Sequence, residues 1–222
     1  FYPIRNAFAQ GKPIREVHQM FARDWIYPRA DVLVTFLGLH DMPRFMNEPG
    51  ATTTGLKLAQ TLIMTSRGTP LLYYGDEIAM PGGADPDNRR DFPGGFPGDT
   101  RNAFTAGGRT AEENDVWNHL AKLGALRKEL EPLRRGRSLD LLDEEQQYAY
   151  ARLTDKAAVI VIFNNDTKPA EVSFDITFIN KQIPIEATLR DALGNLADIK
   201  VNDGKVKAMI PARSAGIYVS TK

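Results

Sequence analysis

Apolar and β-branched residues run almost without a break from Val32 to Leu37, the pattern of a parallel strand covered on both faces. Pro70 to Tyr74 is a second such run. Between them Leu56, Leu58, Ala59, Leu62 and Ile63 recur at helical spacing, and Gly68 stands where a C-terminal cap is expected. Ile14 to Phe21, carrying His18, reads as an earlier helix. A glycine- and proline-rich stretch from Asp76 to about Gly108 follows, and loops of that length inside a domain are usually functional. A further helix opens with Thr110 and Glu113 in capping-box spacing and carries Val116, Leu120, Leu123 and Leu126 until Pro132 stops it.

From Leu133 the texture changes. Short runs such as YAYARL, AAVIVIF, AEVSF, KVKAMI and AGIYVS are separated by turn clusters, among them Asn164-Asn165-Asp166 and Asn202-Asp203-Gly204. This predicts an antiparallel β-sandwich over 133–222, preceded by an α/β unit over 1–132.

Charge narrows the partners. Lys and Arg total 28, as do Asp and Glu, so no excess draws the chain toward nucleic acid or an anionic membrane. A small molecule or a neutral polymer is the more natural ligand. Cysteine is absent, which excludes disulfides and thiolate metal sites. His18 and His119 lack companions at ligand spacing, so no metal site is expected, and no apolar run is long enough for membrane insertion. Trp25 and Trp117 read as core residues. Arg127, Lys128, Arg134, Arg135 and Arg137 read as a solvated helix end and linker. With Phe1 first and no initiator Met, the start reads as cut from something longer.

The first apolar run ends on His40, Asp41 and Arg44. A His-Asp pair after a strand can be a plain turn with a helix cap. In parallel α/β folds, however, the carboxyl ends of strands are where catalytic groups gather, because the strand fixes them while the following loop shapes a pocket.

VTFLGLHDMPRF (Val34–Phe45) resembles the strand-seven region of the alpha-amylase superfamily, glycoside hydrolase family 13, where a barrel strand ends on His-Asp followed three residues later by Arg. GTPLLYYGDEIAM (Gly68–Met80) resembles that family's eighth-strand region, and DPDNRR (Asp85–Arg90) the sugar-binding loop after it. DFPGGFPGD, GRTAEE and the β module are similar to neopullulanase and cyclomaltodextrinase-like members. The position before the histidine, commonly Asn in the family, is Leu39 here.

The resemblance implies the C-terminal part of a (β/α)8 TIM barrel followed by the β-sandwich. The parent would be a retaining enzyme cleaving α-1,4-glucosidic bonds in α-glucans, maltooligosaccharides or cyclodextrins, with Asp41 as transition-state stabiliser. His40, Arg44, Asp85 and Arg89 would contact substrate, although Arg44 could equally hold neighbouring carboxylates or the loop. Asp85 and Arg89 also suit a surface i,i+4 ion pair, and Phe92 and Phe96 could face sugar rings or pack under the loop. The nucleophile and general acid would belong to earlier strands, making the N-terminal portion of the same enzyme a partner. No cofactor is implied, calcium in the complete enzyme is left open, and the resemblance leans toward a periplasmic or secreted setting. A non-enzymatic carbohydrate-binding module, a transglycosylase and an α-1,6-specific enzyme remain open.

Overall fold

A computed structural model describes residues 1–221. Two short helices, α1 (Tyr2–Phe8) and α2 (Arg15–Phe21), precede a strand–helix–strand unit: β1 (Val34–Phe36), α3 (Thr53–Thr65) and β2 (Thr69–Leu71). The two strands pair in parallel, Val34 opposite Thr69 and Phe36 opposite Leu71. Both are shorter than the sequence pattern predicts, and only one face is covered. Leu37 is buried in the core and Thr35 is nearly so, whereas Val32 and Val34 are 56% and 52% exposed. The reason is that, among the described residues, this sheet has two strands with helices on one side and none that close over the other.

Helix α3 begins at Thr52, whose hydroxyl accepts from the Gly55 N–H at 3.0 Å, and ends with Ser66 in extended backbone. Gly68 is therefore not the cap. It turns the chain into β2 at φ +88°, where an added Cβ would lie 2.2 Å from the Leu33 carbonyl oxygen. The same oxygen accepts from Thr69 N–H at 2.9 Å, so glycine is what allows the turn to approach the first strand this closely.

The long loop contains short 3-10 turns at Asp76–Ile78, Asp87–Arg89 and Ala106–Gly108. Helix α4 (Ala111–Glu129) carries the full capping box between Thr110 and Glu113. Pro132 does not stop it directly. The helix breaks at Leu130, and Pro132 occupies the first turn of α5 (Glu131–Arg135), where a missing N–H costs nothing.

Eight antiparallel strands follow: β3 (Arg137–Asp143), β4 (Gln147–Leu153), β5 (Ala158–Asn164), β6 (Ala170–Asp175), β7 (Ala187–Asp191), β8 (Ile199–Asn202), β9 (Lys205–Ile210) and β10 (Ser214–Thr221). They form one hydrogen-bonded sheet in the order β3-β4-β5-β10-β7-β8-β9-β6. Ala149 and Ile160 from one end of that order share a core with Val172 and Val206 from the other, so the sheet curls over its own interior.

Alternation along β4 and β5 sets how the two parts join. Ala149, Ala151, Ile160 and Ile162 point into the β interior. Tyr148, Tyr150, Val159, Val161 and Phe163 point the other way, into the core built on Phe8, Leu56, Leu62 and Leu123. Every residue of β4 and β5 is buried as a result. Polar contacts seal the seam: the Tyr150 and Thr65 hydroxyls lie 2.6 Å apart, and Asn165 donates to the Ala7 and Lys12 carbonyls.

Gly68→Ala is expected to destabilise the chain by about 1–3 kcal/mol or more, from a left-handed backbone plus a main-chain clash. Gly107→Ala, with open space around its Cβ position, serves as the control. Thermal unfolding should show a clear drop for the first and little change for the second.

Candidate functional site

Just beyond β1, the chain passes from buried Leu37 to His40 and Asp41, whose side chains are 63% and 66% exposed. His40 Nε2 lies 3.1 Å from Asp41 Oδ1. Arg89, on the turn after β2, reaches the same oxygen at 3.7 Å, while its Nε lies 3.0 Å from Asp85 Oδ1 and donates to the His40 carbonyl at 3.1 Å. The i,i+4 pair expected as an alternative for Asp85 and Arg89 does form, but its arginine also joins them to His40 and Asp41. Four of the five sequence-predicted polar groups, His40, Asp41, Asp85 and Arg89, thus share one exposed ledge at the carboxyl ends of the two strands.

Exposed ion pairs hold little by themselves, so the ledge needs support from below. Asn88, fully buried, supplies it by donating to the main-chain carbonyls of His40 (2.7 Å) and Met42 (3.0 Å). Tyr74 adds a second tie through its hydroxyl to the Arg90 carbonyl at 2.8 Å. Asp87 closes the turn by accepting from Gly83 N–H at 2.6 Å, and that bond together with Arg90 holds its carboxyl below the usual range.

Arg44 lies beneath the ledge and not on it. It is 1% exposed, donates from Nε to the Asn88 carbonyl (2.9 Å) and from Nη1 to the Tyr74 carbonyl (2.5 Å), and lies over the Tyr73 and Tyr74 rings at 4.6 and 4.7 Å. Its other terminal nitrogen has no hydrogen-bond acceptor, and the electron-rich ring faces supply the electrostatic partner instead. Room for the guanidinium comes from Gly75, at φ +90°, where a Cβ would approach Nη1 to 2.9 Å. Arg5 secures the turn from the far side, donating to the Pro43 and Arg44 carbonyls at 2.9 and 2.7 Å.

Asp76 is the unusual acid of this region. It is 4% exposed, one carboxyl oxygen has no partner, and burial pushes its pKa up to about 7 despite the opposing charge of Arg44. Sequence reading missed Asp76, Asn88 and the tyrosine pair as site components. Asn88 stood inside a quoted motif between charged neighbours, while Tyr73 and Tyr74 passed as strand residues.

Other candidates sort differently. Phe92 packs on Phe104 at 4.5 Å between ring centres, whereas Phe96 is exposed. Trp25, expected in the core, is 83% exposed because the face it stands on is uncovered. His119 bonds Thr61 and the Lys57 carbonyl, and burial pulls its pKa down to about 4, so it is a neutral structural group. No group of three or more metal-binding side chains occurs among the described residues. No helix among them is long and apolar enough to cross a membrane.

A family model described as alpha amylase, catalytic domain, matches residues 14–102, which include the whole ledge. A cyclomaltodextrinase of Geobacillus thermopakistaniensis is 30% identical over 68% of this chain. The chain belongs to the alpha-amylase family. A cyclomaltodextrin glucanotransferase of Bacillus licheniformis is likewise 30% identical over 77% of the chain. The solved structure of an Anoxybacillus alpha-amylase superposes on all of it with a TM-score of 0.81 at 27% identity. The fold is therefore the C-terminal part of an alpha-amylase barrel with its β-rich continuation. This alpha-amylase-family chain spans 24% and 21% of those two curated relatives and 45% of the solved chain.

A carboxyl whose pKa is raised on folding binds more protons folded than unfolded, so stability is greatest below the unfolded value near 4 and falls as pH rises toward about 7. Asp76→Asn should flatten that decline, with a ceiling of roughly 4 kcal/mol at pH 8. Chemical denaturation of both proteins from pH 4 to 8 checks it.

Proposed function

We propose that these residues form the C-terminal portion of a retaining glycoside hydrolase that cleaves α-1,4-glucosidic bonds in maltooligosaccharides, α-glucans or cyclodextrins. Hydrolysis with retention passes through an oxocarbenium-like transition state between two carboxyl groups about 5 Å apart, one a nucleophile and one an acid. In this reading both come from a segment outside these 222 residues. Asp41 supplies a third carboxylate, whose charge opposes the positive charge developing on the sugar and whose oxygens accept from ring hydroxyls.

The observation that carries the proposal is the convergence of His40, Asp41, Asp85 and Arg89 on one supported ledge at the carboxyl ends of parallel strands. An imidazole, two carboxylates and a forked donor suit the vicinal hydroxyls of glucose. Arg44 then acts as a positioning residue: buried, it fixes the loops that present the other four. The exposed faces of Val32, Val34 and Leu72 suit coverage by the remaining strands of the same barrel.

Transglycosylation is a second reading, favoured by the glucanotransferases among the relatives. A stand-alone carbohydrate-binding role for the β module has less support, since the exposed large apolar side chains there are Phe178, Ile185 and Met209, a single aromatic among them.

Asp41→Asn in the complete enzyme should lower kcat by ~10²–10³-fold with the circular dichroism spectrum unchanged. Product analysis on cyclodextrin, pullulan and maltose separates hydrolysis from transfer. Wild-type turnover in the variant would end the assignment of Asp41. Robust maltooligosaccharide hydrolysis by these 222 residues alone would show that the nucleophile and acid lie within them.

A further inference from the structure

The opposite ends of the two strands, away from the ledge, meet the start of the β module around a polar cleft of about 360 Å³. Its walls carry Arg29, Arg127, Arg134, Arg135 and Arg152, with Asp31 the one acidic lining residue. Asp31 is already engaged, accepting from Arg29 through both oxygens at 2.8 and 2.7 Å. The other four arginines have no carboxylate within ion-pair distance among the described residues.

For Arg152 and Arg127 the environment makes this costly, whereas Arg134 and Arg135 are exposed. Arg152 is 1% exposed; it donates to the Thr65 and Gly136 carbonyls at 3.1 and 2.6 Å, and its buried Nε has no partner at all. Arg127, partly buried, donates to the Met64 and Gly68 carbonyls, both at 2.7 Å. Arg134 turns back onto the Arg127 and Lys128 carbonyls at the end of α4. Lys128, Arg134, Arg135 and Arg137 are exposed, as the sequence suggests for a solvated helix end and linker, and Arg127 alone of that group is drawn inward. Carbonyls orient guanidinium groups but do not neutralise them, and desolvated cations without an anion are unfavourable. Burial and mutual repulsion pull Arg152 down to about 10 and Arg127 below its ordinary value.

We propose that this cleft binds a phosphate-class oxyanion, held by Arg152 and Arg127 from its floor and by Arg135, Arg134 and Arg29 from its rim. A tetrahedral dianion offers the acceptor oxygens that forked guanidinium groups require. The volume exceeds that of a bare phosphate, so a phosphoryl group on a small polar body fits as well. Bound there, it bridges the segment before β1, the turn at Gly68 and the α5–β4 region, tying the two parts of the chain together electrostatically. No ledge residue takes part in it.

Calorimetric titration of the intact protein with inorganic phosphate and, separately, glucose 1-phosphate, at fixed ionic strength, tests it. Saturable one-to-one binding is expected, weakened about tenfold or more in R135Q and in R29Q, where exposed side chains lose one cleft charge or free Asp31. R137Q removes the same charge outside the cleft and should bind as wild type does. Tighter binding of the glucose ester identifies a sugar phosphate as the ligand, and equal affinity identifies the free anion. R152M should abolish binding; if it does not fold, the two rim variants decide. No saturable binding of either anion, or an equal loss in R137Q, overturns the proposal.

Discussion

A guanidinium removed from water must find acceptors or another source of negative potential, and Arg44 meets that demand by drawing two loops together. Its N–H groups fasten the carbonyls of Tyr74 and Asn88, and its plane lies against two aromatic rings. Asn88, held in this way, turns its own amide onto the His40 and Met42 carbonyls. The exposed groups of the ledge thus inherit their positions from a buried cation they do not touch. Their own ion pairs, open to solvent, are too weak to do this.

The same physics acts elsewhere with a different outcome. Arg152 and Arg127 are also withdrawn from water and also spend their donors on carbonyls, yet they lack aromatic faces or an acid to balance the charge. One end of the strand pair carries a satisfied arginine that builds a site. The other carries arginines whose charge calls for a ligand. Arg152 stands on β4, which with β5 forms the seam whose side chains serve two cores at once. Because that seam is continuous, a charge placed at it acts on both parts of the chain.

Much of the fold was legible because it follows from local rules. Helical spacing over Leu56 to Ile63 and the Thr110–Glu113 cap each correspond to an observed element. Dipeptides such as Asn-Asp and Asp-Gly punctuate the β module for the same reason, since short-range sterics and hydrogen bonding decide them. Apolar runs were less reliable. Val32 to Leu37 reads as covered on both sides, but coverage depends on what stands opposite, and only Thr35 and Leu37 are buried. Trp25 was misplaced for the same reason.

The sequence by itself determined which residue types stand at the strand ends, where the helices begin, and that two textures meet near Leu133, because each rests on interactions between near neighbours in the chain. Only the tertiary structure decided that Arg44 supports the site from below, that Asp76 is withdrawn from water, and that arginines from the segment before β1, from α4 and α5, and from β4 face one cleft. Those outcomes depend on burial and on charges brought together from positions tens of residues apart, and no local pattern records either quantity.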